Sequence, residues 1–152
     1  MPGARTTPPP APDELYPGER LGLPQDGRGS LASWGARLLA LCLDWAACMA
    51  VAVLLFGSAV LTSNDWQSWM ILATFVVETT LLGWLAGGSL GQLVCRIGVL
   101  RLDRAPLGLP RAVLRAVLVA LVLPALVIGP DRRGLHDMAA GTAVISRRDA
   151  RG

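Results

Sequence analysis

Two long stretches of the chain carry almost nothing but apolar residues. Residues 38–57 read LLALCLDWAACMAVAVLLFG and are interrupted by one charge, Asp44. Residues 69–86 read WMILATFVVETTLLGWLA and are interrupted only by Glu78. At about 1.5 Å per helical residue, about twenty residues span a hydrocarbon core of roughly 30 Å. Between the runs, residues 58–68 are short, polar and free of Arg. Trp66 and Trp69 mark one membrane interface, and Trp34 and Trp84 the other. This pattern predicts a transmembrane hairpin with helices over about 34–61 and 67–87.

A third apolar run is shorter. It covers residues 116–129, follows Arg111 and Arg115, and contains Pro124. Runs of about 10–14 apolar residues are more often re-entrant or interfacial than spanning. A helix over about 110–129 that dips in and returns is therefore expected, with a third full span as the alternative. Residues 96–103, RIGVLRLD, and 142–147, TAVISR, alternate apolar and polar positions and are the plausible strands. A lone strand would leave its backbone groups unpaired, so the two are expected to pair, which requires both on one side of the membrane.

The fold class predicted is thus an all-α membrane protein. It comprises a two-helix hairpin, a re-entrant or third helix, and a small cytoplasmic two-strand element. Ahead of it, residues 1–31 hold seven of the eleven prolines, with Gly, Asp and Glu between them. Such a segment buries too little apolar surface to offset its ordering entropy, so 1–30 is expected to be a disordered arm. No basic stretch leads directly into a short apolar one there, so it does not read as a signal peptide. The membrane domain is placed at 31–147 and a basic tail at 148–152.

Composition agrees with a lipid environment. Hydrophobic residues make up 53% and charged residues only 16% of the 152, against about a quarter charged in soluble domains. The isoelectric point near 9.2 could suggest nucleic acid, but a membrane protein with basic inward-facing loops gives the same value, and no nucleic-acid partner is expected. All fourteen basic residues are Arg. Their distribution bears on orientation. Four precede or open the first helix, five follow the second, and five lie near the end. Basic residues favour the cytoplasmic side. A third run that returns puts all fourteen there, together with the N-terminus and the C-terminus, whereas a third full span would put the last five outside.

The residues that could carry chemistry are few. Arg37 and Asp44 are seven positions apart, two helical turns, so they share a face about 10 Å from each other. Asp44 lies roughly 9 Å inside the cytoplasmic edge, and Glu78, on the antiparallel helix, roughly 12 Å inside. Intramembrane carboxylates cost about 2.5–3.5 kcal/mol or more when exposed to lipid, so they face protein or water. Two readings stand. Asp44 and Glu78 pair with Arg37 and Arg115 as structural glue, or the two close acids form a proton or cation site. Gly83 and Gly87 match GxxxG, although Gly87, Gly88 and Gly91 are expected rather to end the second helix and begin a turn. The run GGSLGQ lacks the Gly-Lys-Ser/Thr of a phosphate loop. Near the end, residues 131–142 read as a solvated basic segment that binds anionic lipid headgroups. His136 has no second His or partnering Cys, so no metal site is expected. Cys42, Cys48 and Cys95 read as small residues filling helix surfaces. No Ser/His/Asp or Cys/His set is available, so neither an enzyme nor a cofactor is expected.

Taken in order, these residues resemble the RDD family of bacterial membrane proteins, named for one Arg and two Asp. Arg37 heads the first helix and Asp44 lies within it. Asp137 sits in Leu135-His136-Asp137, followed by Ala140-Gly141-Thr142 and an apolar strand. Gly88-Ser-Leu-Gly91-Gln and then Gly98-Val-Leu-Arg101 resemble the glycine-rich loop and strand that follow the family's second helix, with Gln92 where Lys is usual. Arg111 or Arg115 fills the place of a later arginine. The resemblance covers about residues 31–147, most of the chain. It implies a bacterial cell-membrane protein, and transport, including sodium/proton exchange, has been proposed for such proteins. The expected function is accordingly transport-related, with Arg37, Asp44, Glu78, Arg115 and Asp137 as an intramembrane charge cluster. Two helices cannot enclose a pathway, so a homo-oligomer or a partner membrane subunit is expected. The rival reading is a non-catalytic adaptor that recruits a partner through its Pro-rich arm or basic tail.

Overall fold

The computed structural model describes residues 16–121 and 134–149. Helix α1 runs from Trp34 to Phe56, opened by the Ser33 side chain, which accepts the Ala36 N–H at 3.3 Å. Its 23 residues give a length of about 34 Å, enough to cross the apolar core of a bilayer. It stops short of the predicted end near residue 61, because Gly57 takes a positive φ of 82° that breaks the helix. A four-residue helix, α2 (Ala59–Thr62), and a 3-10 turn, Trp66–Ser68, then reverse the chain. Helix α3 (Trp69–Ala86) returns and ends at Gly87, whose φ of 69° is the left-handed conformation of a helix C-cap.

These two helices display their apolar side chains outward. Only 22% of the most apolar stretch of each is buried inside the protein, and Leu54, Leu55, Trp69, Val77 and Leu85 are exposed. A core helix of a soluble protein would be mostly covered. The buried stripe of α1 is Ala40, Asp44, Cys48 and Ala52, four residues apart on one face, and its small side chains let α3 and the next helix come close. Trp45 of α1 stacks on Phe75 of α3 with ring centroids 5.0 Å apart.

After α3 the glycine-rich segment forms a short helix, α4 (Leu90–Val94), which packs on α1. Strand β1 (Ile97–Arg101) follows, then helix α5 (Leu109–Ala120), helix α6 (Leu135–Ala140) and strand β2 (Thr142–Ser146). The predicted strands do pair. They are antiparallel, with Ile97 opposite Ser146 and Arg101 opposite Thr142. The chain just before α1 adds to the free edge of β2. Ala32 N–H donates to the Val144 carbonyl at 2.9 Å, and Gly29 N–H to the Ser146 carbonyl at 2.8 Å. Gly29 and Ser30, assigned by the sequence reading to the Pro-rich arm, thus pair with a sheet edge that offers backbone partners. Residues 1–15 lie outside the described residues, as does 122–129, the second half of the third apolar run. Ala32, Ala40, Cys95, Ile97 and Val144 form the core where sheet, α1 and α4 meet.

Beyond β2, Arg147 and Arg148 are exposed but tied to the fold through their side chains. Arg147 donates to the carbonyls of Ala86 and Gly87 at 2.9 and 3.1 Å, closing the C-terminus of α3, and Arg148 donates to the Cys95 carbonyl at 3.0 Å. Gly98 lies directly under the Arg147 guanidinium, where a side chain would displace it.

Candidate functional site

The five charged residues singled out in the sequence fall into two adjoining groups. Asp137, fully buried on α6, is the centre of the first. Arg115 from α5 reaches it with Nε at 3.1 Å, and Arg37 from α1 places a guanidinium nitrogen at 3.8 Å. His136 Nε2 lies 3.5 Å from the same carboxylate. The Thr142 hydroxyl is 3.2 Å away, and Arg37 also donates to the Val144 carbonyl at 3.3 Å. Burial alone would raise the Asp137 carboxyl. The charges of Arg115, His136 and Arg37 outweigh it and hold the group below the usual carboxylate range. Three elements far apart in sequence are thereby tied at one buried anion.

The second group surrounds the two acids of α1 and α3. Arg37 and Arg115 turn to Asp137, and Asp44 and Glu78 are met by backbone and hydroxyl donors instead. Asp44 accepts the Ser89 hydroxyl at 2.6 Å and the Gly91 N–H at 2.5 Å. Glu78 accepts the Leu90 N–H at 2.7 Å and the Thr79 hydroxyl at 3.2 Å. Both acids therefore hold the opening turn of α4, one from α1 and one from α3. The first N–H groups of any helix lack intrahelical acceptors, and carboxylates satisfy them well. Within the turn, the Gln92 side-chain carbonyl accepts the Ser89 N–H at 3.2 Å, half of a capping box.

Gly91 is not the helix-ending glycine the sequence suggested. It lies inside α4 against the backbone of α1, where an added Cβ would overlap the Ala40 carbonyl oxygen and sit 2.9 Å from Asp44 Oδ1. Contact this close requires glycine, so the small-residue reading applies here, and the helix-ending role belongs to Gly87.

The two groups share a cavity of about 120 Å³. Arg37, Arg115 and His136 line one part, and Asp44, Ser89 and Gln92 another. Trp34, Leu38, Trp45 and Phe75 supply apolar wall. Glu78 is not among the lining residues. Ser89, Gln92, His136 and Thr142 are not among the expected charge cluster, although the sequence reading names His136, as a poor metal ligand, and the other three within the family's motifs. A signal for the first two was present, since Ser89 and Gln92 have the Ser-x-x-Gln spacing of a capping box. Among the described residues, no cluster of three or more His, Cys, Asp or Glu could hold a metal ion.

Comparison with known proteins places the chain in a family. The model of the RDD family matches residues 31–141, which include Arg37, Asp44, Glu78, Arg115 and Asp137. No curated protein and no solved structure matches the chain.

Proposed function

The chain belongs to the RDD family and is a small membrane protein, and from that premise we propose that it is transport-related, moving protons or small cations across a bacterial cell membrane. The observation that carries the reading is the shared grip of Asp44 and Glu78 on α4. Each carboxylate is bound through N–H or O–H donors. A proton or cation arriving at either acid competes with those donors and loosens α4. Release restores the grip. Occupancy of the acids and the position of α4 are then coupled, as an ion-driven step requires. The role is non-catalytic, and with two spanning helices the pathway is completed by a second copy or a partner subunit.

Orientation follows from charge. Every described Arg belongs to segments that meet at the sheet end of the hairpin, whereas residues 57–68 at the other end carry Asp65 as their only charge. The positive-inside rule then puts the sheet end in the cytoplasm.

Purified protein in sealed vesicles, under imposed sodium and pH gradients, tests the proposal. Wild type is expected to give flux above protein-free vesicles. Asp44→Asn and Glu78→Gln keep an acceptor oxygen for α4 but cannot exchange charge, and each is expected to reduce the flux at least about tenfold, a barrier change of about 1.4 kcal/mol. Equal flux from wild type and a folded Asp44→Asn protein would exclude the acids as the ion site.

A further inference from the structure

Helix α4 is held at its opening by Asp44 and Glu78, and a second set of ties reaches it from the end of β2. The segment that carries α4 is bounded by two residues in the left-handed conformation, Gly87 with a φ of 69° and Arg96 with a φ of 54°. There the chain leaves α3 and turns into β1. Arg147 touches both points. Its backbone N–H donates to the Arg96 carbonyl at 2.8 Å, and one guanidinium nitrogen donates to the carbonyls of Ala86 and Gly87 at 2.9 and 3.1 Å. One residue thus closes the base of the excursion that α4 makes between helix and strand. Arg148 adds a further tie, donating to the carbonyl of Cys95 at 3.0 Å, where α4 ends. The last carbonyls of a helix lack intrahelical partners and form the negative end of its dipole, so a guanidinium suits both places.

The seat of the Arg147 guanidinium is built by glycine. Gly98 lies within β1 and has no positive φ, so its backbone would accept another residue. Glycine inside a strand marks a close approach, and here a Cβ would overlap Nε, Cζ and Nη2 of Arg147. We infer that Arg147 and Arg148 are positioning residues for the acid site. They act through α4, holding its ends so that Ser89, Leu90 and Gly91 present their donors to Asp44 and Glu78. The inference rests on the proposed coupling between those acids and α4, and it extends that coupling to the sheet.

Hydrogen–deuterium exchange of the full chain in detergent, at one pH and with choline or sodium as the cation, tests it. In choline, Arg147→Gln is expected to speed exchange of the amides of residues 89–94 about tenfold, the scale of a lost charge-assisted hydrogen bond. Arg148→Gln should act in the same direction by a smaller factor. Amides in the middle of α1 and α3 should keep wild-type rates, which separates release of α4 from loss of the fold. Gly98→Ala leaves every charge in place but displaces the guanidinium, so it should reproduce Arg147→Gln and add nothing to it in the double variant. Sodium should speed the same amides in wild type by competing for the two acids. In Arg147→Gln its half-effect should fall at a concentration about tenfold lower, by linkage. Wild-type exchange of residues 89–94 in Arg147→Gln or in Gly98→Ala would overturn the hold on α4, and an unshifted half-effect would overturn the positioning role. Faster exchange in both variants, with no response to sodium in any protein, would keep the hold and overturn the ion reading instead.

Discussion

Asp137→Asn is expected to cost about 3–5 kcal/mol of stability, the usual penalty when one partner of a buried ion pair is removed. The side chain keeps its shape, so the loss comes from charge. Arg115 is only 4% exposed, and with Asp137 neutral its guanidinium and that of Arg37 face each other without the anion between them. The measurement is thermal unfolding of purified protein in detergent, with size exclusion to report monodispersity. A second substitution separates charge from packing. Arg37→Gln in the Asp137→Asn background removes one of the two cations and should restore part of the loss, giving a coupling that additive effects would not. An Asp137→Asn protein that unfolds together with wild type would refute the buried-anion account.

The same group sets a pH dependence. Burial opposes ionisation of Asp137, but Arg115, His136 and Arg37 overcome it, and the folded carboxyl titrates below its ordinary value. A depressed folded pKa contributes stability that is complete above the unfolded value of about 3.9 and lost as pH falls through the folded one. This contribution is therefore expected to be level from about pH 5 upward and to disappear only in stronger acid.

Gly91→Ala is the second large effect expected. The added methyl group would meet the Ala40 carbonyl oxygen, which is backbone and cannot rotate away. Either α4 moves off α1 or the helix backbone bends. Overpacking a close contact costs about 1–3 kcal/mol, and displacement of α4 adds the loss of the Asp44 and Glu78 hydrogen bonds. Ala40→Gly should give no rescue, because the clash is with the carbonyl and not the methyl. Full stability of Gly91→Ala, or rescue by Ala40→Gly, would show that α4 does not pack as described.

The long elements were legible because each has a one-dimensional signature. Two apolar runs of membrane length gave α1 and α3, and alternation gave β1 and β2. Arg37, Asp44, Glu78, Arg115 and Asp137 stood out as charges in or beside apolar sequence. Their partners did not, because pairing depends on which faces meet. Arg37 and Asp137 are 100 positions apart, and only the docking of α6 beside α1 and α5 joins them. Helix α4 has five residues, too few for periodicity to show, and the glycine-rich sequence around it looks like loop. The stretch around Asp137 is dense in charge and reads as solvated until Thr142, Arg37 and Arg115 are found around it. Gly57 was the opposite case, since the apolar pattern runs straight through a residue whose backbone ends the helix.

The transport reading requires the hairpin to cross the bilayer, and the distribution of Arg requires its sheet end to lie inside the cell. Single-cysteine labelling tests this most directly. In a background with Cys42, Cys48 and Cys95 replaced by Ala, one variant carries Asn64→Cys, exposed between the two helices, and another Asp149→Cys beyond β2. Intact cells are treated with a membrane-impermeant maleimide. The account predicts that Asn64→Cys is labelled at once and Asp149→Cys only after the cells are permeabilised. Labelling of Asp149→Cys in intact cells would contradict it.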